Sequence, residues 1–135
     1  MYNDVTLIFD VDGTLCPLKE ANQEYSDLIP DKKMIEKIKE YKNNGAKIVL
    51  FSSRNMKTYN GNLGLINANT AIIMQNWLKK WGIPYDEIYF GKPWPGPKGL
   101  YIDDRAVRPN EFLQNSFQDL EKLCMCSTRK KKADK

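Results

Sequence analysis

The chain has 135 residues, 41% of them hydrophobic and 28% charged, which suits one soluble globular domain built around a single core. Its formal charge of +4 is carried by the last nine residues, STRKKKADK; the rest balances 16 basic against 16 acidic side chains and has no overall basic signature for nucleic acid. There is no histidine, which excludes Ser-His-Asp and Cys-His nucleophile arrangements, histidine zinc sites and histidine general bases.

No apolar run approaches the roughly 20 residues needed to cross a bilayer. The opening MYNDVTLIFD lacks the basic region and cleavage site of a signal peptide. Three cysteines, Cys16, Cys124 and Cys126, are too few for a disulfide framework and suit a reducing compartment. These features predict a cytoplasmic protein without membrane insertion. One domain is expected over residues 1–123, with 124–135 a basic, disordered, solubilising tail.

Four short apolar runs punctuate the chain: VTLIF (5–9), AKIVLF (46–51), EIYF (87–90) and GLYI (99–102). The first two are almost continuous, as strands buried on both faces of a parallel sheet are. PDKKMIEKIKEYKNNG puts Met34, Ile35, Ile38 and Tyr41 on one helical face, with Asp31 at its start and Gly45 at its stop. TAIIMQNWLKKWG places Ile73, Trp77 and Trp81 at helical spacing and ends at Gly82; these aromatics are expected in the core. PNEFLQNSFQDLEKL places Leu113, Phe117 and Leu120 likewise. The order β-α-β-α-β-β-α predicts an α/β fold, a three-layer α/β/α Rossmann-like arrangement around a mainly parallel sheet.

In such sheets ligands bind beyond the carboxyl ends of the strands. The residues there are Asp10 after the first run, Ser52 after the second, Gly91 and Lys92 after the third, and Asp103 and Asp104 after the fourth. Parallel strands would gather these carboxylates, a hydroxyl and an ammonium at one edge. Clustered carboxylates repel unless a cation neutralises them, and all-oxygen ligands suit Mg²⁺. A lysine and a serine beside that cation suit a phosphate, so the pattern points to Mg²⁺-dependent phosphoryl chemistry. Two plainer readings of Asp10–Gly13 fail. A hairpin needs an alternating strand after the turn, and TLCPLKEAN with Pro17 is a poor one. An EF-hand loop starting at Asp10 would need Glu at position 21, which is Ala.

FDVDGTL resembles the first motif of the haloacid dehalogenase-like hydrolase superfamily, IVLFSSR its second, FGKP its lysine motif and LYIDD its acidic fourth. Longer stretches, FSSRNMKTYNGN, WLKKWGIPYDEIYFGKP and LYIDDRAVRPNEFL, resemble small phosphatases of capsular and surface-polysaccharide biosynthesis. One departure is Asn55, which follows Arg54 where the pattern leads one to expect glycine.

The resemblance implies that Asp10 is the nucleophile and forms an aspartyl-phosphate, and that Asp12 is the general acid and base. It implies that Thr14 steadies the loop and that Ser52 and Lys92 hold phosphoryl oxygens. Mg²⁺ would sit on Asp10, the Asp12 carbonyl and Asp103, with Asp104 in or next to the ligand set. Lys98 is the alternative lysine. The segments between the motifs leave no room for a cap domain, which suits a large substrate or a homo-oligomer whose neighbour closes the site. Ser53, Arg54, Tyr59, Asn62, Trp94 and Arg105 are the candidates for contacts to the leaving group. The expected activity is a phosphatase of a small sugar or polyol phosphate in surface-polysaccharide biosynthesis. A phosphatase of protein or nucleic-acid ends, and a non-catalytic binding module of the same fold, are the alternatives.

Overall fold

The structure, a computed structural model, describes residues 1–124, so all of the expected basic tail except Cys124 lies outside the described residues. Contacts within the chain group it into two compact units, one spanning Met1–Trp94 and a second beginning at Pro95.

The first unit is built on three parallel strands in the order β1-β2-β3: β1 Thr6–Phe9, β2 Lys47–Ser52 and β3 Glu87–Phe90. The register sets Phe9 beside Leu50 and Ser52 beside Phe90, so the three carboxyl ends fall at one edge. Two-faced burial holds for the central strand, where Ile48, Val49 and Leu50 are all buried. On the outer strands Ile8 and Tyr89 are exposed, because a strand paired on one side only has fewer neighbours to cover it. The start of β3 is fixed by a side chain. Asp86 donates its N–H to the Ile48 carbonyl at 2.7 Å, and its Oδ2 accepts the Ile48 N–H at 2.8 Å. Lys42 pairs with the other oxygen, and these bonds hold the Asp86 carboxyl below its ordinary range.

Helix α1, Lys32–Asn43, links β1 to β2. Asp31 caps it, accepting the N–H groups of Lys33 and Met34 at 3.0 and 3.2 Å. Met34, Ile35, Ile38 and Tyr41 form its buried stripe, as the spacing predicts.

Between β2 and β3 the helical run starts seven residues earlier than the sequence pattern indicates. Asn62 caps a short helix α2, Leu63–Leu65, accepting the Leu65 N–H at 3.2 Å. A π-helical turn, Ile66–Thr70, leads into α3, Ala71–Trp81. The buried face runs through Ile66, Thr70, Met74, Trp77 and Leu78. Of the predicted face only Trp77 is buried, while Ile73 and Trp81 are exposed. The helical period is right and its phase is not, because the face is set by Ile66 and Thr70 upstream of the predicted start. Among the described residues nothing inserted between the strands amounts to a cap domain, and no helix is long and apolar enough to cross a membrane.

The second unit departs from expectation. GLYI (99–102) forms no strand, and Leu100 and Ile102 are exposed. A strand exists only as part of a hydrogen-bonded ladder, and this unit has no strand among its described residues to supply one. The single helix expected from PNEFLQNSFQDLEKL is two. Helix α4, Pro109–Gln114, ends at Asn115 in extended backbone, and a second stretch, 117–124, starts where the Ser116 hydroxyl accepts the Asp119 N–H at 3.2 Å. Of the expected face Leu120 is buried, while Phe112 is buried in place of Leu113 and Phe117.

Trp77 ties α3 to the segment before α1 through its buried Nε1, which donates to the Leu28 carbonyl at 2.7 Å. Trp77→Phe keeps an aromatic ring but leaves that carbonyl unsatisfied. Thermal or denaturant unfolding should show a loss of about 1–3 kcal/mol.

Candidate active site

The edge where the three strands end carries the site, and each residue reaches it for a local reason. Asp10 and Asp12 flank Val11, which is fully buried and anchors the turn beyond β1. Gly13 follows with φ of +86°, a conformation that costs a side chain but not glycine, and its N–H closes the turn on the Cys16 carbonyl at 2.8 Å. Gly91 does the same after β3. Its φ is also +86°, and a Cβ there would lie 2.6 Å from Leu63. This glycine lets the chain pass α2 and present Lys92, whose N–H donates to the Ser52 carbonyl at 3.1 Å.

The two carboxylates have separate partners. Lys92 Nζ lies 3.7 Å from Asp10 Oδ1, and the Thr14 hydroxyl donates to Asp10 Oδ2 at 3.4 Å. Burial raises the Asp10 pKa above its ordinary value and the negative charge of Asp12 raises it further, while Lys92 pulls it down. Asp12 is gripped by Arg54, with Nε donating to Oδ2 at 3.0 Å and Nη2 to Oδ1 at 2.8 Å. The Arg54 side chain is 1% exposed and lies over the Tyr25 ring, 4.1 Å from its centroid. Its third nitrogen, Nη1, is buried with no hydrogen-bond partner among the described residues, a donor whose desolvation costs about 1–3 kcal/mol. Ser52 is buried, and its Oγ accepts the Arg54 N–H at 3.0 Å. A hydroxyl that accepts in this way keeps its own proton to donate. Cys16 completes the surroundings. Its thiol donates to Asp12 Oδ1 at 3.8 Å, and burial together with the Asp12 charge pushes its pKa up to about 12, so it stays protonated.

The first unit therefore brings together Asp10, Asp12, Thr14, Ser52 and Lys92. The leaving-group candidates are placed differently. Arg54 is turned inward onto Asp12, and Asn62 caps a helix. Ser53 accepts the Met56 N–H and Tyr59 donates its N–H to Asn55, so the backbones of both shape the loop between β2 and α2. Trp94 is exposed, with Lys57 Nζ 5.5 Å from its ring centroid. Asn55 takes φ of +62°, the left-handed backbone that a glycine would serve, and its Oδ1 accepts from the Thr70 hydroxyl at 2.7 Å. That hydrogen bond ties the loop to the π-helical turn. In the second unit Asp103, Asp104 and Arg105 are exposed, with Asp103 Oδ1 accepting the Arg105 N–H at 2.8 Å, and Lys98 is exposed in the preceding turn-rich segment. Sequence reasoning missed Tyr25. The signal available was only its aromatic character in a segment otherwise read as connection.

Acidic groups, a lysine and a serine at the carboxyl edge of a parallel sheet are what the resemblance to haloacid dehalogenase-like hydrolases leads one to expect, and comparison with known proteins shows that class. The model of the haloacid dehalogenase-like hydrolase family matches residues 7–79, just over half the chain. The chain belongs to that family. A solved structure of a structural-genomics target from Vibrio cholerae is 44% identical, with a TM-score of 0.85 over 91% of this chain and 98% of that one. Two structures of the Pnkp1/Rnl/Hen1 complex, one described as an RNA repair complex, match at 22% and 18% identity with TM-scores of 0.48 and 0.45. The matches cover 82% and 85% of this chain and 34% and 31% of those chains. At that level they carry no functional argument. No curated protein matches.

The raised Asp10 pKa makes a stability prediction. Folding disfavours the ionised form, so Asp10 costs stability as pH rises through its raised pKa and costs nothing below the ordinary carboxylate value. Asp10→Asn is neutral throughout. In chelator at pH 7 it should melt at a higher temperature than the parent, and the gap should close below about pH 4.

Proposed function

We propose that the chain is a cytoplasmic, Mg²⁺-dependent phosphomonoester phosphatase acting on a small sugar or polyol phosphate in surface-polysaccharide biosynthesis. The observation that carries the chemistry is the division of labour between the two acids. Asp10 faces Lys92 and Thr14 with loose contacts, while Asp12 is held by Arg54. Asp10 attacks phosphorus, and the bond to the leaving oxygen breaks as Asp12 gives that oxygen its proton. Water then attacks the aspartyl-phosphate, Asp12 takes the water's proton, and the bond to Asp10 breaks to release inorganic phosphate. Lys92 and Ser52 hold the phosphoryl oxygens, and Lys92 offsets the charge of the nucleophile.

The donor chemistry fits a hard cation. Asp10 and the Asp12 carbonyl offer oxygen ligands, and a divalent ion would offset both the burial and the neighbouring Asp12 charge that raise the Asp10 pKa. Asp103 and Asp104 complete the proposed ligand set on motif order alone. Bound Mg²⁺ would screen the charge of the incoming phosphate.

That the described residues include no cap domain favours a second reading, in which the phosphate belongs to a macromolecule such as a protein; the balanced charge of the body speaks against nucleic acid. Under the first reading, closure falls to a second copy of the chain.

Purified protein should release phosphate from sugar or polyol monoesters in a broad panel, lose activity in chelator and regain it with Mg²⁺. Faster turnover of phosphopeptide or of 3′-phosphorylated DNA would shift the assignment to the second reading. Silence across the whole panel from folded protein would refute both. Asp10→Asn should abolish turnover, and Asp12→Asn should lower it by about 10²–10⁴-fold.

A further inference from the structure

Arg54 lies against the acid–base residue and not against the open edge where a leaving group would sit. We infer that Arg54 is a positioning residue for leaving-group protonation, fixing the orientation of Asp12 while Tyr25 fixes Arg54. The inference rests on the reading of Asp12 as the acid–base group.

The geometry is specific. Nε and Nη2 of one guanidinium engage both oxygens of one carboxylate, at 3.0 and 2.8 Å. A forked contact of this kind sets the plane of the carboxylate as well as its distance, which a point charge cannot do. The guanidinium is itself held flat by the Tyr25 ring at 4.1 Å. Burial, and after it the charge of Asp12, raises the Tyr25 pKa, so the ring stays a neutral stacking surface. The backbone of the same arginine donates to Ser52 Oγ, so one residue registers the acid–base group against the phosphate-binding hydroxyl. Nε and Nη2 are both engaged by Asp12, and Nη1 is buried without a partner among the described residues. What its position satisfies is Asp12.

A merely structural arginine and a positioning one differ in which substrates suffer when it is changed. An alkoxide must be protonated as it leaves, whereas 4-nitrophenolate leaves unprotonated. Arg54→Lys keeps the cation and loses the fork, and its fold is checked by circular dichroism and melting temperature. Its kcat on glycerol phosphate should fall about ten- to hundredfold further than its kcat on 4-nitrophenyl phosphate, a share of the general-acid contribution, with KM little moved. Tyr25→Leu should give the same ester-dependent pattern at smaller size. In the Asp12→Asn background, Arg54→Lys should add no further loss. Equal losses on both esters in the two variants, or a further loss in that background, would overturn the inference alone. Retained turnover in Asp10→Asn would remove the phosphatase reading and this inference with it.

Discussion

Two carboxylates placed two residues apart at the end of one strand repel each other, and the first unit is organised so that each has its own cation. Asp10 and Asp12 both follow β1, so neither can move away without breaking the turn that Val11 anchors. Relief has to come from other strands. The parallel register supplies it, with Arg54 just beyond the Ser52 end of β2 and Gly91 and Lys92 just beyond the Phe90 end of β3, on the same edge. An antiparallel partner would have carried its terminal residues to the opposite edge and left the pair uncompensated. Parallel pairing, crossover helices and a charged edge are thus one requirement expressed at three scales.

The two acids end up chemically distinct because their cations differ. Lysine is a compact charge on a flexible stem and sits 3.7 Å away, leaving Asp10 accessible. Arginine is a rigid fork and takes both oxygens of Asp12. Under the proposed mechanism a nucleophile has to be reachable and an acid–base group has to be aimed, and the two cation types would meet those needs in turn.

What could be read in the sequence follows from which signals are local. Continuous apolar runs, the Asp31 cap and the stripe Met34–Ile35–Ile38–Tyr41 depend on neighbours in the chain, and the structure has them where the pattern put them. The edge residues Asp10, Ser52 and Lys92 were legible because parallel topology turns a position after a strand into a place in space. The phase of α3 was not, because a π-helical turn upstream rotates the face and has no strong sequence signature. GLYI has strand composition, but composition cannot supply the partner strand that a ladder needs. Arg54 was visible as a charged residue beside the second motif, and its inward turn was not. That turn depends on Tyr25, which precedes it by nearly thirty residues and meets it only in the fold.

Asp86 gives the sheet something like a ruler. Its side chain and backbone both bond to Ile48, which fixes where β3 begins against β2. Lys92 stands just beyond the far end of the same short strand. A one-residue slip would move it by about 3.3 Å and turn it to the other face. The separation between Lys92 and Asp10 is therefore calibrated from the opposite margin of the sheet, by a residue at the other end of the strand.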